Sequence, residues 1–165
     1  MNELCFEVID DSGFLALVDP DAYASFVHEN WNYLQLVEHF KAEMSVHQLL
    51  IWQTGMENTW KVEISFAPLE MQGFKELTGF IHVSKGRLLL TNYESLTMAA
   101  QFEDVILPEP HEKNLLLSVP TGFYQCRIPQ IHNPISNHTH QYHNPDFAIE
   151  LIPSNDAGTA WAEIP

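Results

Sequence analysis

Apolar and polar residues alternate along most of this sequence, and this alternation constrains the fold more than any other feature. In the stretch WKVEISF, Trp60, Val62 and Ile64 would share one face of a strand, with polar residues on the other. A period of two residues is typical of β-strands with one buried face. Nine such strands are predicted, at residues 4–10, 12–19, 47–54, 60–66, 79–84, 86–91, 114–119, 122–128 and 146–152.

Short turn sequences separate several of these strands. Residues 3–19 are predicted to form a hairpin around Asp11-Ser12-Gly13, and the strands on either side of residues 55–58 are predicted to form a second pair. Lys85-Gly86 and Pro120-Thr121-Gly122 supply further turns between successive strands. We therefore expect a mostly β fold, an antiparallel β-sandwich of about nine strands.

One helix is predicted among these strands. Apolar residues recur at spacings of three and four over residues 31–43, and Asn30 is a suitable N-cap. We expect this helix to cover one end or face of the sheet pair. Residues 95–102 could form a short helix or an extended connection, and the proline-rich residues 107–114 are predicted to be a loop. No linker divides the chain, so residues 1–165 are predicted to form a single domain.

The charge of the chain is strongly negative and unevenly distributed. Seven Lys and Arg residues stand against 22 Asp and Glu residues, for a net charge of −15 with neutral histidines. No Lys or Arg precedes Lys41 or follows Arg127. Such a surface repels phosphate backbones and anionic lipids, which disfavours direct binding of nucleic acid or membranes. It suits a basic protein partner, although acidity can also serve solubility alone.

Two features indicate the compartment. No apolar run approaches the length of a membrane-spanning helix, and the acidic start of the chain differs from the basic start of a signal peptide. We therefore expect a cytoplasmic protein. Cys5 and Cys126 form no CxxC motif, and in a reducing cytosol we expect two buried free thiols, although one disulfide between them stays open.

Histidines concentrate near the C-terminal end of the chain. A His-x-His pair on a strand can bind a metal ion with a third ligand, as in cupin barrels. The glutamate and the glycine-rich turn of the cupin motif are missing, and Pro134 and Pro145 bracket the segment, which favours an exposed polar loop. The alternative is a cupin-like, metal-dependent enzyme that holds zinc, nickel or iron. Its candidate ligands are His132, His138, His140 and His143.

Other catalytic or ligand-binding motifs are weak or absent. The turns DDSG and DPDAY lack the ligand spacing of an EF-hand, and GxSxG, SxxK and phosphate-binding loops are missing. A catalytic thiolate at Cys126 is disfavoured because Arg127 would point to the opposite face. Trp31, Trp52 and Trp60 are predicted to be core residues, although a carbohydrate-binding module with an aromatic platform is a third interpretation. We expect no cofactor.

Two segments resemble known families. Residues 115–128, LLLSVPTGFYQCRI, resemble the C-terminal part of the competence-nuclease inhibitor family and of several uncharacterised bacterial β-sandwich domains. Residues 6–23 are similar to the first hairpin of such bacterial domains. The resemblance implies a non-catalytic domain and, for the inhibitor family, one that caps a DNA-cutting enzyme. No functional residue carries over, because no diagnostic side-chain motif is shared.

The acidic N-terminal segment is the candidate binding site. Leu4, Phe6 and Val8 are expected to take the inner face of the first hairpin, leaving its acidic residues outside. We therefore predict a non-enzymatic acidic binding protein, an inhibitor or immunity-type partner of a basic protein such as a nuclease. The predicted contact residues are Glu3, Glu7, Asp10, Asp11, Asp19 and Asp21.

Overall fold

The computed structural model describes residues 3–135 and 144–165, and this part of the chain is mostly β. The strands are β1 (Glu3–Asp10), β2 (Phe14–Val18), β3 (Leu49–Gln53), β4 (Asn58–Ser65), β5 (Lys75–Val83), β6 (Arg87–Asn92), β7 (Leu116–Ser118), β8 (Gly122–Gln130) and β9 (Phe147–Ser154). The helices are α1 (Tyr33–Ser45), α2 (Tyr93–Gln101) and a 3₁₀ helix, Pro110–Leu115. Each strand overlaps a stretch that the alternation predicted.

The strands form two sheets. Sheet A has the order β1-β4-β9-β8-β5, and sheet B has the order β3-β2-β6-β7. All pairs are antiparallel except β4 and β9, which are parallel. One cluster of buried apolar residues draws on both sheets and on the helices. The predicted antiparallel β-sandwich is confirmed.

The predicted hairpins are wrong, because the short turns connect strands of different sheets. The turn at residues 11–13 joins β1 of sheet A to β2 of sheet B, and the turn at residues 54–57 joins β3 to β4 across the same gap. The turns after β5 and β7 do the same. Gly13 and Gly55 have positive φ angles of 84° and 99°, which glycine adopts without steric cost. Alternation within a strand does not reveal which strand lies beside it.

Sheet B is the middle of three layers. Consecutive residues of β2, Leu15, Ala16 and Leu17, are fully buried, which requires cover on both faces of the sheet. One face packs on sheet A. Helix α1 lies against β3, and α2 lies against β2 and β6, on the other face. None of the helices in the described part of the chain is long and apolar enough to span a membrane.

The helices differ from the sequence prediction in start and number. Helix α1 begins at Tyr33 rather than at residue 31, because Asn32, not Asn30, accepts a hydrogen bond from Gln35 N, and the Gln35 side chain accepts one from Asn32 N in return. The ambiguous segment at 95–102 is helical, with Asn92 Oδ1 accepting from Ser95 N at its start. A 3₁₀ helix replaces part of the predicted loop at residues 107–114.

Candidate functional site

The outer face of sheet A, which points away from sheet B, is partly covered by other segments. Residues 67–74 cross it at β8 and β9, where Leu69 N donates to Glu150 Oε1 at 2.5 Å. The Arg127 guanidinium donates to Met71 O at 2.7 Å and fixes the same segment. Arg127 also lies 3.5 Å from carboxylate oxygens of both Glu76 and Glu150, so it compensates these two acids.

The C-terminal segment covers the β5 side of sheet A. Trp161 Nε1 donates to Thr78 O at 2.7 Å, and the Trp161 ring lies where a side chain at Gly79 would be. Gly158 packs directly on the Phe80 ring. Trp161 therefore anchors the C-terminal segment to β5. Glu76, Thr78 and Gln125 stay exposed on β5 and β8, and a further open part of the outer face lies over β1 and β4.

Three carboxylates lie together on this open part. The β1–β4 register places Cys5 opposite Glu63, so that Glu3 and Glu7, two residues to either side of Cys5, flank Glu63 diagonally. Glu3 and Glu7 are exposed and Glu63 is partly exposed. Burial, and secondarily the charge of Glu3, raises the pKa of the Glu63 carboxyl. Within the described residues none of the three makes an ion pair, in contrast to Glu76 and Glu150.

One more exposed acid, Asp11, continues this surface at the end of β1, and Glu94 lies beside it. Glu94 Oε1 accepts a hydrogen bond from Asp11 N at 2.6 Å, and Asn92 Nδ2 donates to Ile9 O at 2.7 Å. These bonds join the end of β1 to the start of α2. Burial is the largest cause of the raised pKa of Glu94, and the charges of Asp10 and Asp11 add to it. Because Glu94 Oε2 is buried, Glu94 holds Asp11 in place and does not itself face outward. We call the surface formed by Glu3, Glu7, Asp11 and Glu63 the acidic edge.

A shallow pocket of about 260 Å³ opens on the outer face beside the acidic edge. Cys5, Glu7, Lys61 and Glu63 line one part of it, and Pro145 lines another. Its shape is fixed by a reciprocal pair of hydrogen bonds: the N–H of residue 61 donates to Asp146 Oδ2, and Asp146 N donates to the carbonyl of residue 61, both at 2.8 Å. These bonds hold the start of β9 against β4 and set the wall of the pocket.

The predicted outward orientation of Asp10 is wrong. Asp10 has the same parity as Leu4, Phe6 and Val8, so it lies on the inner side of β1, where it is 1% exposed. Its Oδ1 accepts from the N–H groups of the following turn, and its Oδ2 accepts from Thr54 Oγ1 at 2.7 Å. Asp10 therefore holds the turn together and is unavailable to a partner.

Asp19 and Asp21 also have structural roles in this fold. Asp19 is fully buried, and its carboxylate accepts from Asp21 N at 3.1 Å and from Ser84 N at 2.9 Å. Asp21 accepts two hydrogen bonds of 2.9 Å from the Arg87 guanidinium, which holds the pKa of Asp21 below its usual range. The expected acidic surface at these two positions is thus replaced by a buried turn and an ion pair.

Of the six predicted contact residues, Glu3, Glu7 and Asp11 are therefore exposed, and their role in binding stays a prediction. Glu63 and Glu94 were missed. Glu63 lies on the polar side of the clearest strand, so its orientation follows from the alternation, but its position beside β1 depends on a pairing that the sequence does not specify. Glu94 could have been found from Asn92, a suitable N-cap for the helix that follows it.

The histidine alternative stays a hypothesis. His138, His140 and His143 lie outside the described residues, and His132 is partly buried just after β8. Within residues 3–135 and 144–165, Glu109, His111 and Glu112 bring one potential ligand atom each within 4.8 Å of one another. The Glu112 carboxylate already accepts hydrogen bonds from Thr91 Oγ1 and from Glu109 N, so these bonds explain its burial without a metal ion.

The cysteines and tryptophans fall partly as expected. Cys126 is buried and free, and burial raises the pKa of its thiol well above the usual range. Cys5 is also free but exposed, which corrects the expectation of a buried thiol. Trp52 and Trp60 are core residues, since both are at most 2% exposed. Trp31 is only partly buried and packs against the core.

No protein-family model matches the chain, and no curated protein matches its sequence. Solved structures with a similar fold include ComJ from Bacillus subtilis, an inhibitor of the DNA-degrading activity of NucA, at 11% identity, and a protein described as crocagin biosynthetic gene J, at 16% identity. Each has a TM-score of 0.54 and covers 92% of this chain and 96% of its own. At such identities the likeness shows the fold alone. It confirms, at the level of the fold, the predicted resemblance to the competence-nuclease inhibitor.

Proposed function

We propose that this chain is a single-domain, non-enzymatic inhibitor that binds a basic protein, a nuclease, through its acidic edge. The observation that carries the proposal is the excess of carboxylates over cations on this surface. Lys61 lies opposite Glu7 in the register, but none of Glu3, Glu7 and Glu63 makes an ion pair in the described part of the chain, whereas Arg127 compensates the other acids of the same face. Three carboxylates beside one lysine on an exposed surface favour a cationic partner.

Inhibition of a nuclease requires only that its DNA-binding cleft be occupied. Such clefts are lined by Lys and Arg, which contact the phosphate backbone. A surface of carboxylates meets the same side chains, speeds encounter with them and repels DNA at the same time. The proposal therefore needs no catalytic group on this chain. The fold that the chain shares with ComJ, described as an inhibitor of a DNA-degrading activity, is consistent with this role.

The proposal can be tested with the tagged full-length chain. Proteins from an extract of the source cell are captured on it at low ionic strength and eluted with salt, and the eluate is assayed for DNA cleavage with and without added chain. We expect a basic protein whose DNA cleavage is suppressed by stoichiometric amounts of the chain. Recovery of partners that lack this activity would contradict the proposal.

A charge-reversal pair locates the binding surface. Glu7→Lys/Glu63→Lys reverses two charges on the acidic edge, and Glu103→Lys/Asp104→Lys makes the same change at exposed positions just after α2. We expect the first variant to lose inhibition and the second to retain most of it. Equal effects of the two variants would mean that only the net charge matters, not the acidic edge.

A further inference from the structure

Strand β1 lies at the edge of sheet A, and its contacts show which backbone N–H and C=O groups point away from β4. Ile9 O accepts from the Asn92 side chain, and its pairing partner Thr59 donates its N–H to Asn58 Oδ1 instead of to β1. Ile9 and Thr59 are therefore a pair without mutual hydrogen bonds. Pairs with and without mutual hydrogen bonds alternate along an antiparallel ladder, so Glu7 and Cys5, two and four residues before Ile9, also belong to pairs without them. Their backbone N–H and C=O groups therefore point away from β4.

The opposite strand gives the same result independently. Lys61 lies opposite Glu7 in the register, and both backbone groups of Lys61 bond to Asp146 on the β9 side. Neither of them is thus available to Glu7. The backbone N–H and C=O groups of Cys5 and Glu7 consequently face the free side of β1, where no other strand of the described chain pairs with them.

At two other edge strands, β5 and β3, a backbone group bonds to the C-terminal segment. Trp161 Nε1 bonds to Thr78 O on β5, and Gln53 N on β3 donates to Pro165 O at 2.8 Å. Uncovered edges tend to pair with other chains, and proteins commonly blunt them. The free side of β1 ends where Asn92 and Glu94 close on residues 9–11, so the open part is limited to residues 3–7.

We propose that an extended segment of the partner, with Lys or Arg at alternate positions, adds to β1 as a further strand of sheet A. This inference rests on the proposed function and specifies how the partner binds. Main-chain hydrogen bonds to Cys5 and Glu7 supply affinity, as in other cases of strand addition. Basic side chains of the added segment that lie directly opposite Glu3 and Glu7 would share the outer face with them and form ion pairs.

The side chains of β1 distinguish this occupant from a second copy of the chain. If two β1 strands paired antiparallel about Cys5, Glu3 of each would lie opposite Glu7 of the other, and like charges opposite each other are destabilising. A basic segment makes favourable pairs at the same positions. Leu4 is 39% exposed and Phe6 is partly exposed on the other face, so apolar residues between the basic ones would pack there.

Amide hydrogen exchange of the full chain tests the inference, with the peptide acetyl-Lys-Val-Lys-Val-Lys-amide as the probe. We expect saturable binding that slows exchange of the Cys5 and Glu7 amides and leaves those of α1 unchanged. No saturable binding, or binding without slowed exchange at these two amides, would overturn strand addition. Dimerisation of the chain through β1 without peptide would overturn the choice of occupant.

A proline variant isolates the backbone contribution. Cys5→Pro removes one outward N–H and spares the β4 ladder, a position at which edge strands tolerate proline. Cys5→Ala removes only the thiol. We expect Cys5→Pro to bind the peptide about fivefold more weakly than Cys5→Ala, the effect of one hydrogen bond. Equal affinities of the two variants would contradict the inference.

The outcomes separate the two proposals. Glu7→Lys/Glu63→Lys could abolish inhibition of the captured nuclease while, in the complex of the unaltered chain with that nuclease, amide exchange at Cys5 and Glu7 stays fast. In that case the acidic edge binds through side chains alone. Strand addition is then wrong, and the proposed function stands. If the nuclease is inhibited equally by both charge-reversal variants, the proposed site fails regardless of the peptide result.

Discussion

Trp60 Nε1 donates a hydrogen bond of 2.8 Å to Asp10 Oδ2, and both side chains are buried. The same oxygen accepts from Thr54 Oγ1, while Oδ1 accepts from the N–H groups of Ser12, Gly13 and Phe14. The carboxylate therefore ties the turn between β1 and β2 to the end of β3 and to β4. A buried carboxylate with five donors is stable without a cation because hydrogen bonds replace its hydration.

This network predicts that Asp10→Asn destabilises the fold. The amide group of asparagine would face at least one donor of the network with an N–H of its own, which leaves buried groups unsatisfied. We expect a loss of about 2–4 kcal/mol in the free energy of unfolding, measured with urea. Asp11→Asn, at the neighbouring exposed position, should change it by less than about 0.5 kcal/mol. Similar losses in both variants would contradict this role.

The Trp161 ring at the edge of β5 predicts a second effect. Trp161→Ala removes the hydrogen bond to Thr78 O and empties the space beside Gly79, so we expect a loss of about 2 kcal/mol in unfolding free energy. Amide exchange of β5 should become faster because its edge is uncovered. Trp161→Phe keeps most of the contact and should lose only about 1 kcal/mol. Unchanged exchange of β5 in the alanine variant would argue against this anchoring.

His39 predicts a pH dependence of stability. Burial lowers the pKa of His39 in the fold, and a hydrogen bond with the Ala24 backbone offsets this in part. At pH values between the lowered pKa of His39 in the fold and its ordinary value of about 6.5, the unfolded chain binds more protons than the folded chain. The free energy of unfolding therefore falls as the pH decreases below about 6.5. The decline should be smaller in His39→Gln and retained in His28→Gln, an exposed position. Parallel curves for His39→Gln and the unaltered chain would contradict this assignment.

The acidic edge predicts a specific salt dependence. Long-range attraction between carboxylates and a basic partner is screened by ions, so rising ionic strength should lower the association rate more than it raises the dissociation rate. Stopped-flow or surface-binding kinetics with the captured nuclease would measure both. Glu7→Lys/Glu63→Lys should show a slower and less salt-dependent association than Glu103→Lys/Asp104→Lys. A salt effect on dissociation alone would indicate a different mode of binding.

The alternative interpretation, a metal-dependent enzyme, predicts a bound metal ion, and the metal content of the purified protein can be measured. If His132, His138, His140 and His143 bind a metal ion, untagged protein should contain stoichiometric zinc, nickel or iron that His138→Ala/His140→Ala loses. The proposed inhibitor requires no metal, so we expect substoichiometric metal and an unchanged melting temperature in that variant. Glu109→Gln/His111→Ala serves as the matched control for the group on the 3₁₀ helix. Stoichiometric metal lost only from the first variant would support the enzyme alternative.

The strands and the direction of their side chains follow from the local sequence. Period two is a local property, so Trp60, Val62 and Ile64 had to share a buried face wherever β4 was placed. Correct counting of this parity also places Asp10 beside Leu4, Phe6 and Val8. Composition and charge likewise depend on no contacts, so the acidity of the chain is known without a structure, while the basic partner inferred from it stays a prediction.

The choice of neighbouring strands, in contrast, depends on the packing of the whole fold. A turn such as Asp11-Ser12-Gly13 can close a hairpin or cross between two sheets, and the local sequence is compatible with both. The choice depends on contacts between distant residues: Thr54 and Trp60 reach Asp10 from 44 and 50 positions away. The same long-range pairing places Glu63 between Glu3 and Glu7 and leaves β1 uncovered, because the register of β1 and β4 depends on packing of the whole core.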